Sequence, residues 1–329
     1  MKVLFAGTPS IAVPSFEVLC SMEEIELAGV LTNPDTPKGR HGILQPTDVG
    51  EAAEKFVGAF PVFKNAKLDS SAREQISLLK PDLLVSFAYG RIFGPKFLAL
   101  FPLGGINIHP SLLPKYRGPS PVQAAIINRD TKTGITIQIL SEEMDSGDIL
   151  AVEELYLTGR ETAESLSETV SKIASRMLPE VLIKIANGTC KATAQNHSEA
   201  SYCHLISRDD GNINWNKSAP EIEALIRGFT PWPLCRTIHN GRELIILKAD
   251  IWTGKDESRE APGVVLGIDK KDGILVQTGD GILAVSMLQY QAKKALHWRD
   301  FLNGARDFLP GNPGAVRTQF DAFMPESKL

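Results

Sequence analysis

The first half of the chain alternates short apolar runs with segments of helical period. The apolar runs lie at 2–7, 27–31, 82–88, 105–109, 133–140 and 149–157. Runs of this length, bounded by Gly and Pro, are typical of strands buried on both faces of a parallel sheet. The longest helical segment, 163–186, ends at Asn187-Gly188. Strands that alternate with helices predict a doubly wound, mostly parallel, Rossmann-like α/β domain over 1–188.

The pattern changes after residue 188. Residues 189–206 are polar and have no clear period, so we interpret them as a linker. A helix is predicted at 219–229, and short strand-like runs follow at 244–248, 263–266, 274–277 and 282–288. Several short strands separated by Gly- and Asp-containing turns favour a small β-barrel of the OB type. We place this second domain at 207–315 and a tail at 316–329.

Composition narrows the class of protein without indicating a function. The 329 residues are 43% hydrophobic and 22% charged, with a net charge of -4, which is ordinary for a soluble globular chain. No apolar run approaches the roughly 20 residues of a membrane span. The N-terminus does not read as a signal peptide, so we expect a cytoplasmic protein without membrane contact. The four cysteines are scattered, which argues against a zinc site, and we expect no metal.

Candidate chemistry begins at Asn107 and His109, which lie two positions apart on the predicted strand 105–109. Alternation along a strand turns both side chains to one face. Asp145 lies in a tight acidic turn after the next strand. An amide and a protonated imidazole can hold a carbonyl oxygen that becomes negative, and a carboxylate can orient the imidazole, as acyl transfer requires. On spacing alone, a histidine that only satisfies local hydrogen bonds would give the same pattern.

The residues around this trio resemble those of a known family. NIHPSLLPKYRG at 107–118 and MDSGDIL at 144–150 are similar to the active-site block of formyltransferases that use 10-formyltetrahydrofolate. Within that family, FAGTPSIAVPSFEVL at 5–19 and INWNKSAPEIEALIRGFTPWP at 213–233 resemble the methionyl-tRNA formyltransferases. The resemblance extends in order over most of the chain.

The resemblance implies a role for particular residues. Asn107, His109 and Asp145 match the family's catalytic positions. The positions that match folate-binding residues are Ser111, Leu112, Leu113, Pro114, Ala88, Tyr89 and Gly90. The loop 32–47 matches the segment that reaches the tRNA acceptor stem, through Lys38, Arg40 and His41. The implied formyl donor is 10-formyltetrahydrofolate, and the implied acceptor is methionyl initiator tRNA, bound by a monomeric enzyme.

The chain departs from the family in two places, and the trio fits more than one function. In the predicted linker, Tyr202-Cys203-His204-Leu205 stands where relatives often have a lysine after a Tyr-Ala pair. The loop 32–47 has Gly42-Ile43 where relatives often carry two lysines, so it is less basic than expected. The same chemistry would serve a formyltransferase acting on an amino sugar nucleotide or on glycinamide ribonucleotide. The folate hydrolase domain of a larger dehydrogenase and a non-catalytic RNA-binding protein on this scaffold also stay open. The intact trio argues against the RNA-binding protein, which has no need of it.

Overall fold

A computed structural model describes residues 1–38, 42–56, 58–255, 260–305, 308–309 and 318–321. The chain forms two compact units. The first comprises Met1–Val122, Lys132–Tyr156 and Ser165–Leu205. The second comprises Gln123–Thr131, Leu157–Glu164 and the described residues from Ile206 onward. No helix in these ranges is long and apolar enough to cross a lipid bilayer.

Most of the first unit is built on one sheet, beside which β3 and β4 form a separate two-stranded sheet. The strands of the unit are β1 (Lys2–Gly7), β2 (Glu26–Leu31), β3 (Thr36–Lys38), β4 (Ile43–Gln45), β5 (Val62–Phe63), β6 (Leu83–Phe87), β7 (Gly105–His109), β8 (Lys132–Ile139) and β9 (Ile149–Tyr156). The helices up to residue 186 are α1 (Val13–Ser21), α2 (Asp48–Ala53), α3 (Ser70–Ser77), α4 (Pro95–Leu98), α5 (Pro121–Ile127) and α6 (Ala163–Ala186).

The order of the strands confirms the predicted doubly wound topology. Across the seven-stranded sheet it is β5-β2-β1-β6-β7-β8-β9. Neighbours are parallel from β5 to β7, and β8 and β9 extend the sheet in antiparallel fashion. Because β1 lies between β2 and β6, the chain winds outward on one side and then returns to build the other. Ligands bind such sheets at the carboxyl ends of the central strands.

The apolar runs form central strands because both of their faces are covered. All five residues of β6, LLVSF, are buried, as are the last five of β1. A continuous aliphatic run fits this position because neither face meets water. An aromatic ladder, Tyr89–Phe93–Phe97–Phe101, packs beside these strands with ring centroids 5.3 to 5.5 Å apart.

The predicted loop 32–47 contains a small hairpin. Strands β3 and β4 pair in antiparallel fashion, from Thr36 opposite Gln45 to Lys38 opposite Ile43. Arg40 and His41 lie outside the described residues. The backbone of Lys38 ends β3, and its side chain is likewise not described.

Segment 189–206, which we predicted to be a linker, is hydrogen-bonded to the first unit. Thr193 and Ile149 exchange two backbone hydrogen bonds of 2.8 and 2.9 Å. The amide of Arg117 donates to Ser201 O, and the amide of Cys203 donates to Arg117 O, both at 2.8 Å. Burial raises the pKa of the Cys203 thiol, so the protonated thiol donates to Arg117 O at 3.4 Å. Residues 189–205 therefore belong to the first unit.

From Ile206 onward, the described part of the second unit is an antiparallel β structure with two α-helices. Its strands are β10 (Cys235–His239), β11 (Arg242–Ile251), β12 (Val265–Asp269), β13 (Gly273–Gln277), β14 (Ile282–Tyr290) and β15 (Leu296–His297), and its helices are α7 (Ala219–Gly228) and α8 (Trp298–Gly304). The order is β10-β11-β14-β13-β12, with β15 paired to β14. Helix α7 begins at a capping box in which Ser218 and Glu221 bond reciprocally, a motif that stabilises helix N-termini.

The residues Thr318–Asp321 join the two edges of this sheet. Asp321 exchanges backbone hydrogen bonds with Ile238 of β10 at 2.9 and 3.3 Å. At the other edge, Phe320 N donates to Gly263 O at 2.9 Å, and Val265 N donates to Thr318 O at 3.0 Å. The sheet thereby closes into a barrel, as the OB-type prediction requires. Within the tail that we predicted at 316–329, the described residues Thr318–Asp321 thus contribute to the barrel, and Phe320 is 3% exposed in its core.

Tyr89 generates a stability prediction, because its hydroxyl is buried without a hydrogen-bond partner in the described part of the chain. Burial also raises the pKa of this phenol. An unsatisfied buried hydroxyl costs free energy, so Tyr89→Phe should raise the free energy of unfolding by about 1 kcal/mol. Urea denaturation measures this change.

Tyr156→Phe is the matched control for this measurement. The Tyr156 side chain is 74% exposed, and its substitution should leave stability within roughly 0.5 kcal/mol of the unsubstituted protein. Destabilisation by Tyr89→Phe would contradict the prediction, because it would mean that the hydroxyl makes a favourable bond.

Candidate active site

Strand β7 carries two of the predicted catalytic residues toward the edge of the sheet where the parallel strands have their carboxyl ends. Asn107 pairs with Ser86 of β6 on one side and with Gln138 of β8 on the other. His109 pairs with Thr136 and is 4% exposed. Because the two residues are two positions apart on one strand, their side chains share a face of the sheet.

Asp145 reaches this face from the connection between β8 and β9. Its backbone has φ 53°, in the left-handed region that few residues other than Gly adopt. Gly147 allows the close approach of the turn, because a Cβ there would lie 1.9 Å from Ile139 O. The turn directs the Asp145 carboxylate toward Asn107 and His109.

The structure brings the predicted trio together around that carboxylate. Asp145 Oδ1 accepts from Asn107 Nδ2 at 3.3 Å and from Gln138 Nε2 at 2.9 Å. Asp145 Oδ2 accepts from the backbone amide of Gly118 at 2.8 Å. The same oxygen lies 3.6 Å from His109 Nδ1. The carboxylate therefore bonds to one member of the trio and faces the other.

The second nitrogen of His109 fixes the orientation of the ring. His109 Nε2 lies 2.8 Å from Tyr116 O. A carbonyl oxygen only accepts, so Nε2 carries a proton. The 3.6 Å between Nδ1 and Asp145 is longer than a hydrogen bond. A proton on Nδ1 would therefore be available to a third group beside the carboxylate.

The predicted folate-binding residues Ser111 to Pro114 follow β7 directly. Thr136 ties this loop to β8, because its hydroxyl donates to Ser111 O at 2.7 Å and accepts from Leu113 N at 3.2 Å. Ser111 is fully buried, and its hydroxyl donates to the carbonyl of Lys115 at 2.6 Å. Leu112 and Pro114 are partly exposed. They are the side chains of this loop that a ligand could reach most directly.

The other predicted folate-binding residues, Ala88 to Gly90, follow β6 at the same end of the sheet. Ala88 and Gly90 are exposed and have φ of 49° and 80°. The Tyr89 side chain turns into the core, where it is 2% exposed. Its carbonyl accepts from Thr8 Oγ1 at 3.1 Å and from Asn33 Nδ2 at 2.9 Å. The ring of Tyr89 is therefore buried in the core, and its carbonyl is bonded within the protein.

A cavity of about 640 Å³ opens beyond the ends of β1, β2 and β6. It is lined by Thr8, Pro9, Asn33, Pro34, Thr36, Pro46, Thr47, Asp48, Gly90 and Arg91. The exposed Arg91 guanidinium donates to Asn33 Oδ1 and to Ala66 O. The cavity therefore combines a cationic group with hydroxyl and amide groups beside the β3–β4 hairpin.

Sequence reasoning missed three residues that contact this site or its neighbours. Gln138 could have been found, because a glutamine within the buried run of β8 signals a polar partner inside the fold. Gln195 gave no signal, because it lies in the polar segment without a period. Arg117 stood in the family-like block without an assigned role, yet it is 2% exposed.

The described ranges contain no group of three His, Cys, Asp or Glu side chains arranged to hold a metal ion.

Comparison with known proteins identifies the family. Residues 1–182 match the family model described as formyl transferase, and residues 205–306 match that of the formyl transferase C-terminal domain. The chain belongs to the formyl transferase family.

Similar proteins make this assignment more specific. This formyltransferase is 48% identical to methionyl-tRNA formyltransferase of Treponema denticola over 322 residues, which cover 94% of this chain and 99% of that protein. It is 43% identical to the enzyme of the same name from Treponema pallidum over 321 residues, covering 95% and 99%. The protein of that name from Alkaliphilus oremlandii is 40% identical over 313 residues, covering 95% and 97%.

Solved structures at lower identity share the fold. HypX from Aquifex aeolicus matches with a TM-score of 0.64 at 18% identity, covering 95% of this chain and 49% of HypX. An N-formyltransferase from Helicobacter canadensis, in complex with folinic acid and dTDP-3-aminofucose, matches with a TM-score of 0.62 at 20% identity. That alignment covers 87% of this chain and 99% of the other.

Gly118 generates a prediction for the formyltransferase site. It has φ 114°, and a Cβ there would lie 2.3 Å from Cys203 O. Gly118→Ala should lower the free energy of unfolding by about 2 to 3 kcal/mol, through backbone strain and displacement of the 201–203 segment. Chemical denaturation measures the loss, and turnover should fall with it because the Gly118 amide bonds to Asp145.

Gly159→Ala separates the energetic cost of the steric clash with Cys203 O from the cost of the left-handed backbone. Gly159 has φ 78°, and a Cβ there would have no atom within 4 Å. Its cost should be limited to the left-handed backbone, about 1 kcal/mol. Equal losses in the two variants would contradict the close approach at Gly118.

Proposed function

We propose that this formyltransferase transfers the formyl group of 10-formyltetrahydrofolate to the α-amine of methionyl initiator tRNA. The observation that carries the proposal is the cluster of Asn107, His109 and Asp145, joined by contacts of 3.3 and 3.6 Å. The acceptor is supported by 48% identity to a methionyl-tRNA formyltransferase over nearly the whole chain. The protein acts as a monomer in the cytoplasm.

The chemistry assigns a separate task to each member of the trio. The neutral amine of the methionyl group attacks the formyl carbon, and the formyl oxygen becomes negative. Asn107 has a second amide proton beyond the one directed at Asp145. Protonated His109 also carries a proton on Nδ1, which lies 3.6 Å from Asp145 and is not committed to a direct hydrogen bond with it. These two donors stabilise the oxyanion. Preorganised donors of this kind are worth roughly 3 kcal/mol each in acyl transfer.

Asp145 transfers the proton in the same step. Its carboxylate holds the His109 ring by charge and accepts the proton that the attacking amine loses. The bond between the formyl carbon and the folate nitrogen then breaks, and the proton passes to that nitrogen as it departs. The products are the formylated amine and tetrahydrofolate, so no oxidant, reductant or metal enters the balance.

The donor site is assigned to the loops that follow β6 and β7. Ala88, Tyr89 and Gly90 in one loop and Ser111 to Pro114 in the other lie at the carboxyl ends of adjacent parallel strands. Such ends are where open α/β sheets bind ligands. Tyr89 takes part through its main chain, because its ring is buried.

The acceptor stem of the tRNA is assigned to the β3–β4 hairpin, and the cavity beside it, which Gly90 of the donor loop also lines, is assigned to both substrates. Lys38, Arg40 and His41 supply basic groups for the acceptor stem. The cavity of about 640 Å³ is of the size of small-molecule binding sites, which span roughly 300 to 1,000 Å³. Arg91 on its wall is an exposed cation suited to a phosphate.

The trio makes the first prediction of this proposal. Asn107→Ala, His109→Ala and Asp145→Ala should each lower kcat by about 100-fold or more while each KM changes by only a few fold. Steady-state assays with 10-formyltetrahydrofolate and methionyl initiator tRNA measure both constants. Glu142→Ala, at an exposed position of the same β8–β9 connection, is the control and should retain full activity. Near-normal turnover in two of the three trio variants would overturn the assignment.

The same assay identifies the acceptor. Charged initiator tRNA, glycinamide ribonucleotide and an amino sugar nucleotide are offered in parallel, with formyl transfer followed directly. Transfer to the tRNA supports the proposal. Transfer only to a small-molecule amine would replace the tRNA with that amine as the acceptor, and no transfer to any of the three would reject formyl transfer to all of them.

Arg40 generates a prediction about RNA binding. Arg40→Ala should raise the KM for tRNA about tenfold and reduce the slope of log affinity against log salt by about 1, because one phosphate contact is lost. The KM for the formyl donor should not change. Lys132→Ala is the control, because this exposed lysine pairs with Glu154 at 2.8 Å on the far strands of the sheet. An equal effect of the two substitutions would contradict a specific contact by Arg40.

A further inference from the structure

The Asp145 turn is held from behind by a residue of segment 189–206. Gln195 is 5% exposed, and its Nε2 donates to Gly147 O at 2.6 Å and to Asp145 O at 2.9 Å. The same nitrogen lies 3.2 Å from Gln138 Oε1. An amide nitrogen has two protons, and its two shortest bonds go to carbonyls on either side of Ser146. Gln195 therefore fixes the backbone that presents the catalytic carboxylate.

Arg117 determines which way the Gln195 amide points. Arg117 Nη2 and Nε donate to Gln195 Oε1 at 2.7 and 3.2 Å. A guanidinium only donates and a carbonyl only accepts. A reversed amide would set its NH₂ group against the guanidinium and its oxygen against the two carbonyls of the turn. The buried cation thus selects the single orientation in which Gln195 can hold the turn.

Gln138 continues this series of hydrogen bonds, with the same donor-to-acceptor direction, to the Asp145 carboxylate. Its Oε1 faces Gln195 Nε2, and its own Nε2 donates to Asp145 Oδ1 at 2.9 Å. Donors therefore point in one direction from Arg117 through Gln195 and Gln138 to Asp145. The described partners of the carboxylate are Gln138, Asn107 and the Gly118 amide, which all donate, and this arrangement satisfies an ionised, acceptor-only carboxylate.

The turn needs external support because Asp145 has left-handed backbone geometry. Its φ of 53° costs of order 1 to 2 kcal/mol in a residue with a side chain. Such conformations persist where the surroundings determine them. The hydrogen bonds from Gln195 to the carbonyls of Asp145 and Gly147 hold the turn in this conformation on both sides of Ser146.

We propose that Gln195 is a positioning residue for the transfer reaction, oriented by Arg117, and that it sets the placement of the Asp145 carboxylate relative to Asn107 and His109. The inference rests on the proposed function for its kinetic consequences. It assigns to segment 189–206 a part in catalysis, although that segment does not itself touch the reacting atoms.

Gln195→Glu tests this role with little change of shape. The new carboxylate keeps its acceptor toward Arg117 and gains an ion pair, which offsets part of the cost of the turn carbonyls that lose their donor. The variant should therefore fold, with an unfolding midpoint a few degrees below that of the unsubstituted protein. It has no donor for Asp145 O and Gly147 O. Misplacement of a catalytic group by about 1 Å can cost roughly 100-fold in rate, so kcat should fall about 10-fold to 100-fold. Each KM should stay within about threefold, because transition-state placement is affected rather than binding.

Tyr202→Phe is the matched control. It keeps the ring and removes only the hydroxyl that receives a 3.4 Å contact from Arg117 Nη1, so turnover should be unchanged. A twofold or smaller loss of kcat in Gln195→Glu overturns the proposal. So does a loss of kcat that matches the unfolded fraction of the variant under the assay conditions, because that would indicate a merely structural role.

A spectroscopic readout separates this inference from the choice of acceptor. In protein labelled with ¹⁵N-histidine, the Nδ1 signal of His109, assigned by its loss in His109→Ala, reports the protonation and hydrogen bonding of that nitrogen, which depend on where the Asp145 carboxylate lies. The signal should move in Gln195→Glu and stay in place in Tyr202→Phe. A shift together with failure to formylate tRNA would reject the proposed function alone. An unmoved signal in a folded Gln195→Glu protein would reject the positioning role, whichever acceptor is used.

Discussion

The structure of the site depends on how the Asp145 carboxylate is satisfied. A buried or half-buried carboxylate must be surrounded by donors, because its desolvation is otherwise too costly. Here the donors come from β7, from β8 and from the loop at Gly118. Each of these contacts also constrains the element that supplies it. The charge of Asp145 therefore organises the local packing.

The sheet explains how residues so distant in sequence meet at one point. Parallel strands β6 and β7 deliver two loops to the same end, and antiparallel β8 sets Gln138 directly opposite Asn107. The turn after β8 then folds back over that pair, which the close approach at Gly147 permits. Segment 189–206 supplies the remaining support through Gln195. Catalytic placement in this formyltransferase thus results from strand register and from a segment without regular secondary structure.

Much of this arrangement could be predicted from the sequence, and the exceptions have physical reasons. The central strands and α6 were predicted to within about two residues, because burial on both faces leaves a strong apolar pattern. The β3–β4 hairpin was missed because Ile43 and Leu44 are 63% and 65% exposed, so no buried period marks it. Gln195 could not be found, since it lies 50 residues from Asp145 in a stretch whose path only the tertiary fold determines. Phe320 could not be assigned to the core for the same reason, because in the sequence it belongs to a tail whose path only the tertiary fold determines.

The closure of the barrel by Thr318–Asp321 has a consequence for the order of events during synthesis. The first unit contains no described residue beyond Leu205, whereas the barrel cannot join its edges until Asp321 has left the ribosome. Until then, β10 and the strand region at Gly263 present unpaired backbone groups, which are templates for aggregation. Domains of a growing chain generally fold from the N-terminus first. The residues that close the barrel are therefore the last part of it to be synthesised. The two edges of its sheet remain unpaired until they emerge.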